Sequence, residues 1–268
     1  MYEAFWGLSE KPFENTPDPR FFFASPQHQE ACARMLYCVR ERKGAGLLTG
    51  VFGCGKTVVG HMLMQELNKE RYRVAFITNP RLSDVDFLRM IAFYLGLPNP
   101  PANKTDTHIA LENLIQDNAR EGRDTVVVVD EAHTVSDAAV FEELRLLLNF
   151  QWKERFLVTM LLFGQPELSA LVNRNKPFEQ RIGIKAKLEP LVREETQAYI
   201  LHRLRVAGRA QPESVFRPDA VEAIFESTGG VPRRINRLCD MCLLSAMGKQ
   251  MTAVDLPVVN EEVNGLTV

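Results

Sequence analysis

Apolar and polar positions follow two periods over the first two thirds of the chain. Short apolar runs predict buried strands, and the run Thr125–Val129 is β-branched throughout, which is typical of a strand covered on both faces. The predicted strands lie at 47–49, 74–78, 125–129, 156–163 and 182–188. The segments with helical spacing before and between them lie at about 26–42, 58–67, 83–94, 107–120 and from Ser136 onward. This alternation indicates an α/β fold, a parallel sheet with helices on both faces.

The pattern changes after Glu189 and Pro190, where only helical spacing continues. Helices are predicted at about 193–207, 217–227 and 232–247, with a last short helix within 254–263. Gly229 and Gly230 together are typical of a helix end. We therefore predict two domains, a sheet-containing domain at 1–190 and a small helical lid domain at 191–268.

Residues 1–25 are rich in aromatic residues and proline. Prolines keep such a segment extended or turning. Its aromatic side chains need a surface to cover, and we expect the sheet-containing domain to supply that surface. A second interpretation is that part of the segment forms a wall of an adenine pocket, since pockets for nucleotide bases favour apolar and aromatic linings.

Residues 50–57 match the phosphate-binding pattern G-x-x-x-x-G-K-[ST] between a predicted strand and a predicted helix. Glycines let such a loop turn tightly and aim backbone N–H groups at phosphate oxygens, and the following helix adds its positive end. Lys56 would reach the β- and γ-phosphates, and Thr57 would ligate Mg²⁺. The residues predicted to bind the nucleotide here are Gly50, Phe52, Gly53, Cys54, Gly55, Lys56, Thr57 and Val58.

The predicted strand at 125–129 ends in Asp130 and Glu131, where open α/β sheets bind their ligands. Asp130 is predicted to hold the magnesium shell, and Glu131 is predicted to orient or deprotonate the attacking water. Together with the phosphate loop, these acids predict a nucleoside triphosphatase. His133 is interpreted as structural, because the two acids already fill both roles.

Composition narrows the classes of partner. The 268 residues carry a net charge of −2, so the overall charge gives no indication of nucleic-acid binding. Local basic patches could still bind nucleic acid. Five cysteines without a recognisable signal peptide fit a reducing cytosol. Cys239 and Cys242 are interpreted as core thiols because they fall in an apolar helical pattern. No apolar stretch reaches the roughly 18 residues of a transmembrane helix.

Four further motifs carry a family resemblance: residues 5–21, with Phe5, Gly7, Leu8, Phe13 and Pro17–Phe21; FGQPEL at 163–168; QRI at 180–182; and GVPRRIN at 230–236. With a P-loop core followed by a helical lid, the chain resembles the AAA+ ATPases. The motifs resemble in particular the bacterial ExeA/GspA-type ATPases of general secretion and related loci. That branch is also similar to the ATPases of transposition systems. The resemblance covers residues 1 to about 255.

This resemblance implies roles for further polar residues. Gln165 matches the sensor of the γ-phosphate, which helps to place the attacking water. Arg181 matches the arginine finger that acts on a neighbouring subunit's nucleotide, with Arg174 as its rival. Arg233 matches a second sensor, which couples the nucleotide to the position of the lid. The predicted catalytic residues are therefore Lys56, Glu131, Gln165 and Arg181, the predicted metal ligands are Thr57 and Asp130, and Arg233 joins the nucleotide-binding residues.

The resemblance implies an ATPase that binds ATP or ADP with Mg²⁺, self-associates, and acts in the cytoplasm or at the inner membrane face. Its expected task is to assemble or remodel a bacterial secretion, pilus or exopolysaccharide-export machine. The alternative is a DNA-loading ATPase of the transposition or replication-initiator type. The sequence leaves open the client machine, the ring size, and whether the chain continues into a membrane helix. The basic residues that would serve DNA binding are Lys185, Lys187, Arg203, Arg205, Arg209, Arg233, Arg234 and Arg237.

Overall fold

The computed structural model describes residues 1–16, 18–135, 138–152 and 155–266. The expected helix start at Ser136 and the motif residue Pro17 lie outside the described residues. The chain forms two compact units. The sheet unit comprises Pro26–Phe52 and Val59–Leu188, and the helical unit comprises Met1–Ser25, Gly53–Val58 and Glu189–Val268.

Parallel strands form the centre of the sheet unit. The strands are β1 (Ala45–Gly50), β2 (Tyr72–Ile77), β3 (Asp124–Val129), β4 (Gln151–Trp152), β5 (Arg155–Phe156), β6 (Val158–Gly164) and β7 (Ile182–Leu188). In the described part of the chain, five of them pair in the order β2-β3-β6-β1-β7, and every pairing is parallel. Parallel neighbours require crossover connections, which explains the alternation of strands and helices in the sequence.

Helices follow most of these strands. They are α1 (Glu3–Trp6), α2 (Pro26–Arg40), α3 (Lys56–Glu66), α4 (Asp84–Tyr94), α5 (Lys104–Arg120), α6 (Ala138–Leu147), α7 (Glu167–Arg174), α8 (Lys176–Glu179), α9 (Arg193–Val206), α10 (Pro218–Thr228), α11 (Pro232–Gly248) and α12 (Leu256–Leu266). The side chain of Ser83 caps α4, accepting from the backbone N–H of Asp86 at 3.2 Å. Helix α5 begins earlier than predicted because Asn103 caps it, accepting from the N–H of Asp106 at 2.9 Å.

The run 156–163 was predicted as one strand, and the structure divides it. Phe156 belongs to β5, which pairs antiparallel with β4, while β6 begins at Val158. Between them the N–H of Leu157 donates to the carbonyl oxygen of Phe150 at 2.9 Å, outside the main sheet. An apolar run by itself does not show where a chain leaves one pairing for another, because both segments are equally hydrophobic.

Residues 1–25 correct an expectation. Their aromatic side chains were expected to cover the sheet-containing domain, but Trp6, Phe13 and Phe21 lie in the hydrophobic core of the helical unit. The indole N–H of Trp6 donates to the carbonyl oxygen of Leu243 in α11 at 3.0 Å. The reason is that α9–α12 leave apolar surface that these aromatic rings bury. The assignment of 1–190 and 191–268 as functional domains stays a prediction.

One buried arginine fixes this segment. Arg203 of α9 is 6% exposed, and its guanidinium donates to the carbonyl oxygens of Pro12 and Glu14. The same guanidinium lies 4.8 Å from the ring centroid of Phe21. The hydrogen-bond acceptors and the aromatic face offset the free-energy cost of burying the guanidinium charge. The N-terminal segment is therefore an integral part of the helical unit.

Two further expectations can be compared with the structure. Cys239 and Cys242 are free, fully buried thiols in the core of the helical unit, as predicted. Burial raises the pKa of Cys239 well above its ordinary value and that of Cys242 to about 12. Among the described helices, none combines the length and the apolar character needed to cross a bilayer.

Candidate nucleotide-binding site

Three predicted elements of the site end at one edge of the sheet. Strand β6 lies between β3 and β1 and is parallel to both. Asp130 follows β3, Gln165 follows β6, and Gly50 ends β1. Because all three strands run in the same direction, these residues share the carboxyl-terminal edge, where ligands of open α/β sheets bind. Sequence reasoning had placed Gln165 beside the Asp130 strand, and the pairing agrees.

The loop 50–57 has the strand–turn–helix form that the motif requires. Strand β1 ends at Gly50, and α3 begins at Lys56. Gly53 and Gly55 have φ values of +88° and +97°, which side chains rarely permit. Within the sheet unit, a Cβ at Gly50 would lie 2.7 Å from the carbonyl oxygen of Leu188. Both the loop's turns and its packing therefore need glycine.

The second half of this loop belongs to the helical unit. The backbone N–H of Arg233 donates to the carbonyl oxygen of Gly53 at 3.3 Å, and a Cβ at Gly53 would lie 2.7 Å from Cβ of Arg233. Arg233 is the second residue of α11, and its side chain is exposed. Gly230 is similarly constrained, since a Cβ there would overlap the carbonyl oxygen of Leu191.

The side chains of the loop differ in exposure. Cys54 is fully buried, and burial raises the pKa of its thiol to about 11. Lys56 is 4% exposed, whereas Phe52 is 55% exposed. Thr57 and Val58 occupy the first turn of α3. The predicted role of the loop assigns phosphate contact to backbone N–H groups and Lys56, so it does not depend on the side chains of Phe52 and Cys54.

The acidic pair occupies a strained turn. Asp130 is 2% exposed, and its Oδ1 accepts from the backbone N–H of Glu131 at 2.9 Å. Glu131 has φ +52° and ψ +31°, a left-handed conformation that non-glycine residues seldom adopt. Strain of this kind persists where surrounding structure enforces it and is concentrated at functional sites. The turn directs the chain into a short 3₁₀ segment at Ala132–Thr134.

His133, which the sequence led us to interpret as structural, contacts both Gln165 and Glu131. Its Nδ1 lies 3.3 Å from the backbone nitrogen of Gln165, and its Nε2 lies 2.9 Å from the side-chain amide of Gln165. The same Nε2 lies 3.5 Å from Oε2 of Glu131. The available signal was a histidine just after one strand end and a glutamine at the end of the adjacent strand.

The residues at the loop and the strand ends fit a magnesium-bound triphosphate. The left-handed Gly53 leaves no room for a Cβ, and the left-handed φ of Gly55 disfavours a side chain, as a backbone cradle for phosphate requires. Thr57 and Asp130 offer a hydroxyl and a carboxylate, the oxygen ligands that Mg²⁺ prefers. In the described residues, no group of three or more His, Cys, Asp or Glu side chains forms a cage for a metal ion.

Arg181 lies elsewhere on the sheet unit. It directly precedes β7, whose first residue pairs with the first residue of β1, so it lies at the amino-terminal edge. A strand of seven residues, about 23 Å long, separates that edge from the one that carries Gln165. The guanidinium of Arg181 donates to Oδ1 of Asn149 at 2.9 Å and lies against the ring of Phe156. Arg174, at the end of α7, is exposed.

Three of the basic residues that would serve DNA binding, in α9 and just after it, have other partners. Arg203 is buried against the N-terminal segment. Arg209 donates to the carbonyl oxygen of Trp6 at 2.8 Å, and Arg205 lies 3.4 Å from a carboxylate oxygen of Glu213. These contacts stabilise the helical unit and weaken the DNA-loading alternative.

Comparison with known proteins agrees with this geometry. A family model described as "AAA domain" matches residues 39–172, half of the chain. The chain therefore belongs to the AAA domain family. General secretion pathway protein A of Aeromonas hydrophila is 37% identical over 275 residues, which cover 99% of this chain and 49% of that protein. The chain thus spans about half the length of this curated relative, and the predicted resemblance is confirmed.

Solved structures show the same fold at low sequence identity. The ORC2 protein of Aeropyrum pernix, in ADPNP-ADP complexes, has a TM-score of 0.68 at 16% identity, covering 96% of this chain and 71% of that chain. The Drosophila ORC bound to DNA has a TM-score of 0.71 at 15% identity, covering 100% of this chain and 66% of that chain. The predicted fold, a parallel P-loop sheet with additional C-terminal helices, is confirmed.

Proposed function

We propose that this protein binds ATP with Mg²⁺ and hydrolyses it. Lys56 and the backbone N–H groups of the loop would hold the β- and γ-phosphates, while Thr57 and Asp130 would hold the metal ion. Bound Mg²⁺ supplies positive charge against the charge that develops on the phosphoryl oxygens. Glu131 would orient and deprotonate the attacking water, and the amide of Gln165 would donate to the γ-phosphate or to that water.

The observation that carries this proposal is the shared sheet edge of Glu131 and Gln165. A general base must lie within hydrogen-bond reach of the proton that it takes, so its position matters before its pKa. Here the base and the polar sensor follow two adjacent parallel strands and meet at His133. The ADPNP-ADP complexes of a protein with the same fold support a nucleotide ligand. ATP rather than GTP follows from the family resemblance.

The similarity to General secretion pathway protein A supports a role in secretion. We propose that ATP promotes self-association and that hydrolysis reverses it, so that the protein acts as a switch for assembling or remodelling an export machine. Arg181 would then act on the nucleotide of a second copy, because it lies at the sheet edge opposite to Gln165 of its own chain. Arg233 would contact the bound nucleotide and so couple nucleotide binding to the position of α11.

Magnesium-dependent ATP turnover tests this proposal, measured beside the Kd of a fluorescent ATP analogue. Lys56→Ala is expected to abolish both binding and turnover. Glu131→Gln is expected to bind the analogue normally while its turnover falls by about 100-fold, at the lower end of what a general base contributes. Lys69→Ala and Glu70→Gln, two exposed substitutions between α3 and β2, are the matched controls. Turnover that survives both Lys56→Ala and Glu131→Gln would reject the proposal.

A further inference from the structure

His133 links the base and the sensor of the proposed ATPase through a specific arrangement of protons. Its Nδ1 faces the backbone N–H of Gln165 at 3.3 Å. A backbone N–H only donates, so Nδ1 carries a lone pair, and a neutral imidazole then carries its proton on Nε2. The hydrogen bond to the backbone of Gln165 therefore selects the Nε2–H tautomer.

This tautomer sets the orientation of the Gln165 amide. An Nε2–H group needs an acceptor, and the structure places the Gln165 amide there with its Nε2 atom 2.9 Å away, an orientation in which two nitrogens face each other. The amide must turn its oxygen toward the ring, because an NH₂ group facing Nε2–H would place two donors together. Both N–H groups of the amide are then directed to other acceptors, which suits a side chain that recognises a phosphoryl oxygen.

The same ring nitrogen also faces the proposed base. Nε2 of His133 lies 3.5 Å from Oε2 of Glu131, and the side chain of His133 is 13% exposed. At 3.5 Å this contact is electrostatic rather than a well-formed hydrogen bond, and it favours positions of the Glu131 carboxylate beside the N–H group. His133 thus contacts both groups that the proposed function requires at the attacking water, and it contacts them with one nitrogen.

The backbone keeps the ring in this position. The hydroxyl of Thr134 donates to the carbonyl oxygen of Glu131 at 2.8 Å and closes the short 3₁₀ turn that carries His133. Gly164 lets this turn pack against the end of β6, since a Cβ there would lie 3.1 Å from the nitrogen of His133 and 2.8 Å from Cδ2 of Leu168. The contact between the two strand ends is therefore built into the fold.

We infer that His133 is a positioning residue, which fixes the Gln165 amide and the Glu131 carboxylate in one arrangement at the sheet edge. This inference rests on the proposed ATPase function, in which Glu131 is the base and Gln165 the sensor. His133 acts through these two residues. It should therefore affect the rate of the chemical step more than the affinity for nucleotide.

Substitutions at His133 separate positioning from a structural role. His133→Phe keeps a ring and removes both nitrogens, and we expect its kcat to fall roughly 10-fold, a fraction of the 10²–10⁴-fold of a positioned base. The Kd for a fluorescent ATP analogue should stay within about 2-fold of wild type, since the phosphate loop is unchanged. His133→Gln restores a donor near Nε2 and should recover most of the rate. His61→Phe, which keeps an aromatic contact with Phe76, is the matched control.

A double-mutant cycle tests whether His133 acts through Gln165. His133→Phe should lower kcat by a smaller factor in a Gln165→Ala background than in the wild-type background, because one of the two groups that it positions is gone while Glu131 remains. Full additivity of the two substitutions would overturn the inference, as would a wild-type kcat in His133→Phe. Loss of thermal stability in His133→Phe without rescue of kcat by His133→Gln would reduce the residue to a structural role.

A spectroscopic readout is independent of turnover. In ¹⁵N-histidine-labelled protein without nucleotide, the signals that vanish in His133→Phe should show the neutral Nε2–H tautomer. An Nδ1–H pattern would overturn the inference directly. If wild type and His61→Phe lack magnesium-dependent ATP turnover while the Nε2–H tautomer is observed, the proposed function fails and the hydrogen-bonded arrangement stands. If wild type turns over ATP and His133→Phe matches it, only the inference about His133 fails.

Discussion

The backbone N–H of Arg233 donates a hydrogen bond to the carbonyl oxygen of Gly53 at 3.3 Å. Within the helical unit, the middle of the phosphate loop is therefore attached to the first turn of α11. This attachment gives the loop's residues 53–58 a direct mechanical link to the helix that carries the proposed second sensor.

Gly53→Ala should disrupt this attachment. The substitution combines an unfavourable φ of +88° with a Cβ placed 2.7 Å from Cβ of Arg233. We expect a loss of about 2–4 kcal/mol in the free energy of unfolding, more than the roughly 1–2 kcal/mol of left-handed strain alone. Urea titration followed by circular dichroism measures it, and binding of a fluorescent ATP analogue should be lost as well.

Gly96→Ala is the matched control for Gly53→Ala. Gly96 has φ +111°, and an added Cβ there meets nothing within 4 Å. Its substitution therefore reports left-handed strain without a steric overlap. Equal losses of stability in the two variants would show that the contact between Gly53 and Arg233 does not constrain the loop.

The parts of the site that the sequence predicted are local in the chain. The loop 50–57 and the pair Asp130–Glu131 follow from motif and strand periodicity, which need no knowledge of tertiary packing. The bridge through His133 depends on the side-by-side pairing of β3 and β6 and on the left-handed turn at Glu131. Neither a strand register nor a strained dihedral angle is encoded in residue periodicity, so the contacts of His133 could not be predicted from the sequence.

The packing of residues 1–25 was missed for a related reason. Their composition predicted that aromatic rings would be buried, and this was correct for Trp6, Phe13 and Phe21. The partner was wrong, because the contact with Arg203 joins residues nearly two hundred positions apart. Periodicity identifies a buried face but not the distant element that covers it.

Arg203→Met tests whether one arginine secures the N-terminal segment. The methionine keeps an apolar stem but leaves the carbonyl oxygens of Pro12 and Glu14 without their donor. We expect a loss of about 2–3 kcal/mol in unfolding free energy, since unsatisfied buried acceptors cost about 1–3 kcal/mol each and water will reach one of them. Limited proteolysis should then cleave within residues 12–21 faster than in wild type.

Arg205→Met is the control for Arg203→Met, because Arg205 is exposed and forms only a surface pair with Glu213. It should change the unfolding free energy by less than about 0.5 kcal/mol. If both variants are equally stable and equally resistant to proteolysis, the N-terminal segment is secured by its aromatic residues alone.

Glu143 forms a buried ionic contact between α5 and α6. Its carboxylate is 3% exposed and lies 2.5 Å from both Nζ of Lys104 and Nε2 of His108. Glu143→Ala should cost about 2–3 kcal/mol in unfolding free energy, below the 3–5 kcal/mol of a fully buried pair because Lys104 is partly exposed. Glu142→Ala, one position earlier and paired with Arg145 on the surface, should cost less than about 0.5 kcal/mol. Equal losses of unfolding free energy in Glu143→Ala and Glu142→Ala, measured by chemical denaturation, would contradict a stabilising role of the buried contact.

Asp84 predicts a pH dependence of stability. The hydrogen bond from Lys104 lowers the pKa of the Asp84 carboxyl below its usual value. Its stabilising contribution is therefore present above the unfolded-state pKa of about 4 and is lost as pH falls through the lower folded-state pKa. Asp84→Asn should reduce the urea midpoint at pH 7, and the difference from wild type should shrink below about pH 4.

The control for Asp84→Asn is a substitution at a carboxylate that Lys104 does not contact. Asp117→Asn removes an exposed acid that pairs with Arg120 on the surface of α5, and it should change the midpoint little at pH 7. A difference between Asp84→Asn and wild type that grows toward acid pH would have the wrong sign and would reject the assignment.

The position of Arg181 makes a prediction about catalysis between subunits. Because it lies at the sheet edge opposite to Gln165, its proposed partner is the nucleotide of a second copy. ATP turnover per subunit should rise with protein concentration in wild type and stay flat in Arg181→Ala. At high concentration the variant should turn over ATP at least about 10-fold more slowly than wild type, since arginine fingers contribute about 10³–10⁵-fold. Asn149→Ala removes the hydrogen bond to Arg181 but keeps the guanidinium, so its rate should match wild type. A flat profile in Arg174→Ala instead would assign the finger to Arg174.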